Sequence, residues 1–307
     1  MKIHISIPCC LYEQGSRKNQ EDALWPSLGQ ATADDRLFIV CDGMGGHDHG
    51  EVASQAVATT IGEYIASHLS ADEPLADDIL DSAIAEAYDQ LDRLDNANDQ
   101  RKMGTTLTLL CLHRGGATMA HIGDSRIYHL RPSEGRMLYI SRDHSLVMDL
   151  YLAGELSREE MDTYEGRNII TRAMQPHQER RSRPDIAHTI DIQPGDLFLL
   201  CSDGVLEQLT DEKLLDILSG NASDEMLMQR LHTATAQAAD NHTAYLIRIL
   251  DVEREESDEA ALHNEDTSRA NFIVIERAHE KAFSVPTPQA TSNPTGWLGR
   301  IMKKWLD

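Results

Sequence analysis

Two apolar runs in this chain end in the same way, with an aspartate and a glycine, and they constrain the fold more than any other feature. The sequence LFIVCDG covers residues 37–43, and LFLLCSDG covers residues 197–204. Short runs of large apolar residues bounded by turn residues predict buried strands. A strand that buries its side chains and then enters a glycine turn presents the aspartate as a rigid carboxylate.

The predicted strands occur in clusters, with pairs of helices between the clusters. The strands are expected at 1–12, 36–41, 103–113, 116–123, 125–131, 186–192, 197–201, 244–252 and 271–276. Helical spacing of apolar residues predicts helices at 51–68, 75–95, 145–164 with a break near Gly154, 210–218 and 223–240. This order favours an α+β fold, with antiparallel sheets and helices outside them, over a doubly wound parallel sheet.

Acidic residues follow or precede several of these apolar segments. They are Glu21, Asp22, Asp42, Asp124, Asp203 and Asp240. Each one alone is explained at least as well by a turn, because Asp-Gly is a common turn signal. Their repetition, without paired cysteine or histidine ligands, indicates instead a site for hard cations with oxygen ligands.

The residues around these acids suit hydrolysis of a phosphoester. Glycine lets a backbone carbonyl approach an ion because no Cβ intervenes. Two ions about 3.5–4 Å apart can share one aspartate and acidify a water between them. Arg17, five residues before Asp22, is placed for a bidentate grip on a phosphate.

A series of short motifs makes a family resemblance specific. In order they are RKNQED (17–22), DGMGGH (42–47), MGTT (103–106), GDSR (123–126), RDHSLV (142–147), AGEL (153–156), RNIITRAM (167–174), PGDLFLLCSDG (194–204) and DNHT (240–243). Over about residues 5–252 the chain resembles the metal-dependent Ser/Thr protein phosphatases of the protein phosphatase 2C type, in their bacterial form. The resemblance implies a four-layer α-β-β-α sandwich, two antiparallel sheets flanked by helix pairs, with two Mn²⁺ or Mg²⁺ ions at one end.

The resemblance also implies roles for individual residues. Asp42 corresponds to the bridging ligand, and Gly43 offers its backbone carbonyl. Asp203 and Asp240 correspond to the remaining ligands of one ion. Glu21 or Asp22 would serve the other ion, directly or through water.

Two further residues complete the implied site. Asp124 corresponds to a ligand of a third, weaker metal ion shared with Asp203. Arg17 would hold the substrate phosphate. The stretch 145–170 corresponds to the flap, a variable element beside the metals that gates or selects substrate.

The histidines near the site have no assigned catalytic role. Met44 occupies the position where animal relatives carry a histidine proposed as general acid, and His47 lies further along the same motif. His144 is expected to make a structural hydrogen bond near the site. Asn241 is retained beside Asp240 as a supporting residue.

Composition shifts divide the chain into three parts. We expect a catalytic domain over 1–280, a Pro/Thr-rich linker over 281–295 and a short amphipathic helix over 296–307. That helix could dock on its own domain, but its apolar face and its basic residues favour contact with a partner groove or a membrane surface.

Charge and hydropathy limit the classes of function. Lys and Arg total 28 against 51 Asp and Glu, a net charge of −23, which argues against nucleic-acid binding. The five cysteines lack paired spacing, and those at 41, 111 and 201 are expected to be buried free thiols. No stretch approaches the length of a membrane span. We therefore expect a cytoplasmic monomer, peripherally tethered through its C-terminal helix.

Three functions are compatible with these features. The leading hypothesis is hydrolysis of phosphoserine and phosphothreonine in proteins, reversing bacterial Ser/Thr kinase signalling. The second is a signalling adaptor that binds phosphoproteins without turnover, which the intact set of acids disfavours. The third is a metal-dependent hydrolase of small phosphoesters.

Overall fold

The structure, a computed structural model, describes residues 1–45, 49–70, 73–95, 103–220, 222–254 and the backbone of 272–275. Its strands are β1 Lys2–Ile5, β2 Cys9–Glu13, β3 Ala23–Trp25, β4 Leu37–Cys41, β5 Gly43–Met44, β6 Gly104–Thr105, β7 Leu107–His113, β8 Gly116–Ile122, β9 Arg126–Arg131, β10 Arg136–Ile140, β11 Asp185–Thr189, β12 Leu197–Cys201, β13 His242–Glu253 and β14 Phe272–Ile275. Its helices are α1 His49–His68, α2 Asp77–Leu94, α3 Leu146–Leu152, α4 Arg158–Met161, α5 Asp211–Leu218 and α6 Asp224–Thr235.

The strands form two large antiparallel sheets. One has the order β1-β13-β12-β9-β10, with β2 also paired to β13, and the other has the order β14-β11-β8-β7-β4-β3. A separate two-stranded pair joins β5 to β6. The α+β class and the antiparallel sheets expected from the sequence are confirmed.

The central strands are apolar on both faces because each face is covered by a different layer. Phe38 and Val40 of β4 belong to the apolar cluster between the sheets, whereas Ile39 belongs to the cluster shared with α1 and α2. Similarly, Phe198 of β12 points into the inter-sheet cluster and Leu199 into the cluster shared with α5 and α6. A strand covered on both faces has a continuous apolar run rather than an alternating one. The layers are therefore helix pair, sheet, sheet and helix pair.

Several element boundaries differ from the sequence-based expectation. The strand expected over 1–12 is two strands, β1 and β2. The helix expected over 145–164 is two helices on either side of Gly154, whose φ is +75°. The second of these begins at a capping box between Ser157 and Glu160. The helix expected over 223–240 ends at Thr235.

Other expectations concern the cysteines and the C-terminal part of the chain. Cys41, Cys111 and Cys201 are buried free thiols, as predicted. In the ranges that the structure describes, no helix combines the length and the apolar character needed to cross a bilayer. The linker expected at 281–295 and the helix expected at 296–307 lie outside the described residues, so these domain boundaries stay predictions.

Candidate metal centre

Strand pairing brings the predicted acidic residues to one end of the sandwich. The end of β4 lies beside the start of β3, since Cys41 pairs with Ala23. The end of β12 lies beside the starts of β13 and β9, since Cys201 pairs with Ala244 and Arg126. The residues just beyond these strand ends form what we call the aspartate cluster: Asp22, Asp42, Asp124, Asp203 and Asp240.

Asp42 lies at the electrostatic centre of the aspartate cluster. Burial is the largest cause that raises the pKa of Asp42 well above its usual range, and the charges of the other four members add to the shift. The Asp203 carboxyl lies within hydrogen-bonding reach of Asp42. The other four members of the aspartate cluster therefore all lie near Asp42.

The other buried members are shifted in the same direction. Burial raises the pKa of Asp22 to about 7, with further contributions from Asp203 and Asp240. Burial and the charge of Asp203 raise the pKa of Asp124 to about 8. Burial and the charge of Asp240 raise the pKa of Asp203 to about 6. Such like-charged carboxyls require protons or cations to neutralise them.

Among the described residues, two carboxylate oxygens of the cluster are buried and have no hydrogen-bond partner. They are Oδ1 of Asp22 and Oδ1 of Asp124. The other oxygen of Asp22 accepts a hydrogen bond from the Ser202 hydroxyl at 2.8 Å, which fixes the carboxylate while leaving Oδ1 unused. Buried oxygens without donors are costly unless an ion or water satisfies them. The donor set therefore fits hard divalent cations.

Gly43 stands at a close crossing of three chain segments. A Cβ at this position would lie 2.2 Å from the carbonyl oxygen of Gly50 and 2.4 Å from that of Glu21. Its N–H donates to the Glu21 carbonyl at 3.1 Å. The Glu21 carboxylate lies against Gly50, where a Cβ would approach it to 2.9 Å. Only glycine fits here, because a side chain would collide with two backbone carbonyls.

Arg17 lies at the rim of the cluster, where its guanidinium pairs with Asp240. The Arg17 side chain is 57% exposed and that of Asp240 is 26% exposed. Asn241 supports this rim: its side chain accepts the Glu21 N–H at 2.8 Å and donates to the carbonyls of Gln14 and Asn19. Asn241 thereby fixes the loop that carries Arg17.

Two buried hydroxyls behind the cluster were not singled out from the sequence. The Thr106 hydroxyl accepts the Asp42 N–H at 3.0 Å and lies 2.7 Å from the Ser125 hydroxyl. The Thr106 N–H in turn donates to the Asp42 carbonyl at 2.9 Å. Both residues belong to the quoted motifs MGTT and GDSR. Small polar residues at the ends of apolar strands were the available signal.

The two histidines named from the sequence have different outcomes. His47 lies outside the described residues. His144 is buried and makes a structural hydrogen bond, since its Nδ1 accepts the Gly123 N–H at 3.1 Å. In the described ranges, His121, His144 and Asp185 form a group whose ligand atoms are close enough to hold a metal ion. Sequence reasoning did not link His144 to Asp185, because the two are far apart in the chain.

The chain belongs to the protein phosphatase 2C family. Residues 14–251 match the family model described as Protein phosphatase 2C. Serine/threonine protein phosphatase PstP of Mycobacterium tuberculosis is 30% identical over 300 residues, which cover 92% of this chain and 54% of PstP. Protein phosphatase PhpP of Streptococcus pneumoniae is 32% identical over 219 residues, which cover 69% of this chain and 85% of PhpP.

Solved structures show the same fold. The crystal structure of M. tuberculosis PstP/Ppp has a TM-score of 0.68 and 30% identity, covering 81% of this chain and all of that one. The catalytic domain of PstP in complex with two manganese ions has a TM-score of 0.65 at 30% identity, again covering 81% of this chain and all of that one. This chain spans about half the length of the full PstP sequence that it matches.

Proposed function

We propose that this chain hydrolyses phosphoserine and phosphothreonine esters in proteins, using two Mn²⁺ or Mg²⁺ ions held by the aspartate cluster. The observation that carries the proposal is the convergence of five aspartates, with unsatisfied buried oxygens, beside an exposed arginine. The relatives named as Ser/Thr phosphatases, and the PstP structure with two manganese ions, support the same reaction.

The aspartates divide the task of holding the ions. Asp42 would contact both ions, and the Gly43 carbonyl would be a further ligand. Asp203 and Asp240 would complete the coordination of one ion. Glu21 or Asp22 would serve the other, directly or through water.

The remaining residues bind and orient the substrate and the weaker ion. Asp124 would hold a third ion together with Asp203. When bound, such ions acidify water into a nucleophile at neutral pH and stabilise developing charge on the phosphoryl oxygens. Arg17 would bind the phosphate oxygens through its planar guanidinium, which fixes the phosphorus in line with the cluster.

The Arg17 role predicts a loss of substrate binding without a loss of metal. Arg17→Ala is expected to lower kcat/KM for a phosphothreonine peptide by about 10- to 100-fold, since a charge-assisted hydrogen bond contributes about 1.5–3 kcal/mol. Mn²⁺ binding by calorimetry should be retained. A variant with unchanged kcat/KM would remove Arg17 from phosphate binding.

The activity is tested by comparing substrates under controlled metal conditions. The full chain is incubated with Mn²⁺ or with EDTA, and phosphate release is measured from phosphoserine and phosphothreonine peptides, p-nitrophenyl phosphate and nucleotides. We expect Mn²⁺-dependent turnover with the peptides among the substrates. Mn²⁺ binding without turnover would instead identify an adaptor, and turnover of small phosphoesters but not of peptides would identify a small-molecule hydrolase.

We also propose a cellular setting for this activity. We place the protein in the cytoplasm of a bacterium as a monomer that opposes Ser/Thr kinases, with phosphorylated proteins as its partners. Residues 296–307 would contact a partner or a membrane surface through their apolar face. Absence of binding when the full chain is sedimented with anionic vesicles would remove the membrane alternative.

A further inference from the structure

His144 and Gly123 are joined by two reciprocal hydrogen bonds. The His144 N–H donates to the Gly123 carbonyl at 2.9 Å. The Gly123 N–H donates to Nδ1 of the His144 ring at 3.1 Å. Gly123 immediately precedes Asp124, so His144 contacts the turn that carries this member of the aspartate cluster.

The hydrogen bond from Gly123 selects the ring tautomer of His144. Because Nδ1 accepts an N–H, it carries no proton, and the ring proton must lie on Nε2. Nε2 lies 3.1 Å from Oδ2 of Asp185, so its proton faces this carboxylate. Arg172 donates to the other oxygen of Asp185 at 2.9 Å and thereby fixes the carboxylate.

This tautomer argues against a metal ion among His121, His144 and Asp185. Both ring nitrogens of His144 are engaged, one by a donor and one by its own proton. The Arg172 guanidinium lies 3.2 Å from Nε2 of His144, so a positive charge already occupies the approach to the group. The arrangement is a carboxylate–histidine pair in which the other ring nitrogen accepts a backbone N–H.

The turn that His144 contacts depends on outside support. Gly123 has a φ of +107°, and a Cβ there would lie 2.5 Å from Cγ2 of Thr106, so the turn admits no side chain at this position. On the far side of Asp124, the Ser125 hydroxyl lies 2.7 Å from that of Thr106, which contacts the backbone of Asp42. Asp124 is therefore held between a Thr106–Ser125 contact and a His144–Gly123 contact.

The same histidine also fixes the base of the segment 145–170. Its carbonyl accepts the Thr171 N–H at 2.8 Å, and the adjacent Ser145 forms an isolated antiparallel bridge with Ile170. The two ends of this segment thus meet at the residue that supports the Asp124 turn.

We propose that His144, oriented by Asp185 and Arg172, is a positioning residue that holds the Asp124 carboxylate in place for a cation. The proposal rests on the proposed function, in which Asp124 is a metal ligand. His144 itself contacts neither metal nor substrate. Its effect reaches the site through the Gly123 N–H.

The test separates the two ring nitrogens of His144. Mn²⁺ is titrated into the metal-free full chain by calorimetry, and the binding event lost in Asp124→Asn is followed. In His144→Asn the amide oxygen takes the place of Nδ1 and can accept the Gly123 N–H, whereas in His144→Gln the amide reaches the place of Nε2. We expect His144→Asn to retain most of the affinity of this event and His144→Gln to weaken it about tenfold or more.

His113 offers a matched control at the end of β7, away from Thr106, which directly precedes the start of this strand. Its Nδ1 also accepts a glycine N–H, from Gly115 at 3.0 Å, and it is also buried. His113→Gln should lower the thermal unfolding midpoint without changing Mn²⁺ binding.

The outcomes distinguish the role of Asp124 as a metal ligand from the role of His144 as a positioning residue. If Asp124→Asn leaves Mn²⁺ binding unchanged, the assignment of Asp124 as a ligand fails. If Asp124→Asn removes a binding event but His144→Asn and His144→Gln weaken it equally, or neither weakens it, the positioning role of His144 is overturned. Asp185→Asn, which keeps the ring of His144, should reproduce a smaller part of the same loss.

Discussion

Replacing Asp42 by asparagine is expected to lower kcat/KM for a phosphothreonine peptide with Mn²⁺ by more than about 100-fold. Loss of a residue that only orients a metal ligand typically lowers metal affinity or activity by about 10- to 100-fold. Asp42 is the proposed bridging ligand itself, so a larger loss is expected. An amide has a single neutral acceptor oxygen and cannot neutralise two cations. Phosphate release measured over a range of Mn²⁺ concentrations checks the prediction.

The same variant should fold at least as well as the parent chain when metal is absent. Asp42 is surrounded by four like charges, and removing its charge relieves this repulsion. Asp224→Asn is a control with the same chemical change. Asp224 lies at the start of α6 and pairs with Arg248, so this variant is expected to leave turnover unchanged. Near wild-type turnover by Asp42→Asn would contradict the proposed centre.

The metal-free protein is expected to lose stability as the pH rises from 7 to 8. The folded-state pKa is raised to about 7 for Asp22 and to about 8 for Asp124, far above the value of an unfolded aspartate. The folded state therefore binds protons in this interval that the unfolded state has already released. Stability falls where the folded state binds more protons, by on the order of 1 kcal/mol per pH unit for each proton.

Most of the effect of the histidines with lowered pKa values falls below this interval. His113 and His121 have a folded-state pKa of about 4. Their effect on the free energy of unfolding is therefore largest below the pKa of an unfolded histidine, about 6.5. Thermal unfolding in EDTA measures the slope, and saturating Mn²⁺ should flatten it because cations replace the protons. A rise in stability toward pH 8, or a slope that neither Mn²⁺ nor Asp124→Asn alters, would count against the aspartate cluster as its origin.

Many of the strands and helices could be predicted from the sequence because the patterns that indicate them are local. The runs that end at Cys41 and Cys201 predicted buried strands, and their lack of alternation follows from a sheet with both faces covered. The four-layer order came from the family resemblance, because the packing of one sheet on another depends on contacts between distant residues. Strand ends were less accurate where a short irregular stretch interrupts a β-rich segment, as between β1 and β2.

The acidic residues of the site were also predictable, because an aspartate beside a glycine after an apolar run is a recognisable turn signal. The residues that hold them in place were not. Ser202 contacts Asp22 across 180 positions, and Asp185 faces His144 across 41. Such contacts are created by the tertiary fold, and a buried serine or histidine carries no pattern that names its partner.

Crystals of the full chain grown with Mn²⁺, measured at the manganese absorption edge, test the central claim most directly. The anomalous difference map should contain two neighbouring peaks about 3.5–4 Å apart, with Asp42 in contact with both. A weaker third peak is expected at Asp124. A map with no peak at the aspartate cluster, or with its only peak among His121, His144 and Asp185, would contradict the account.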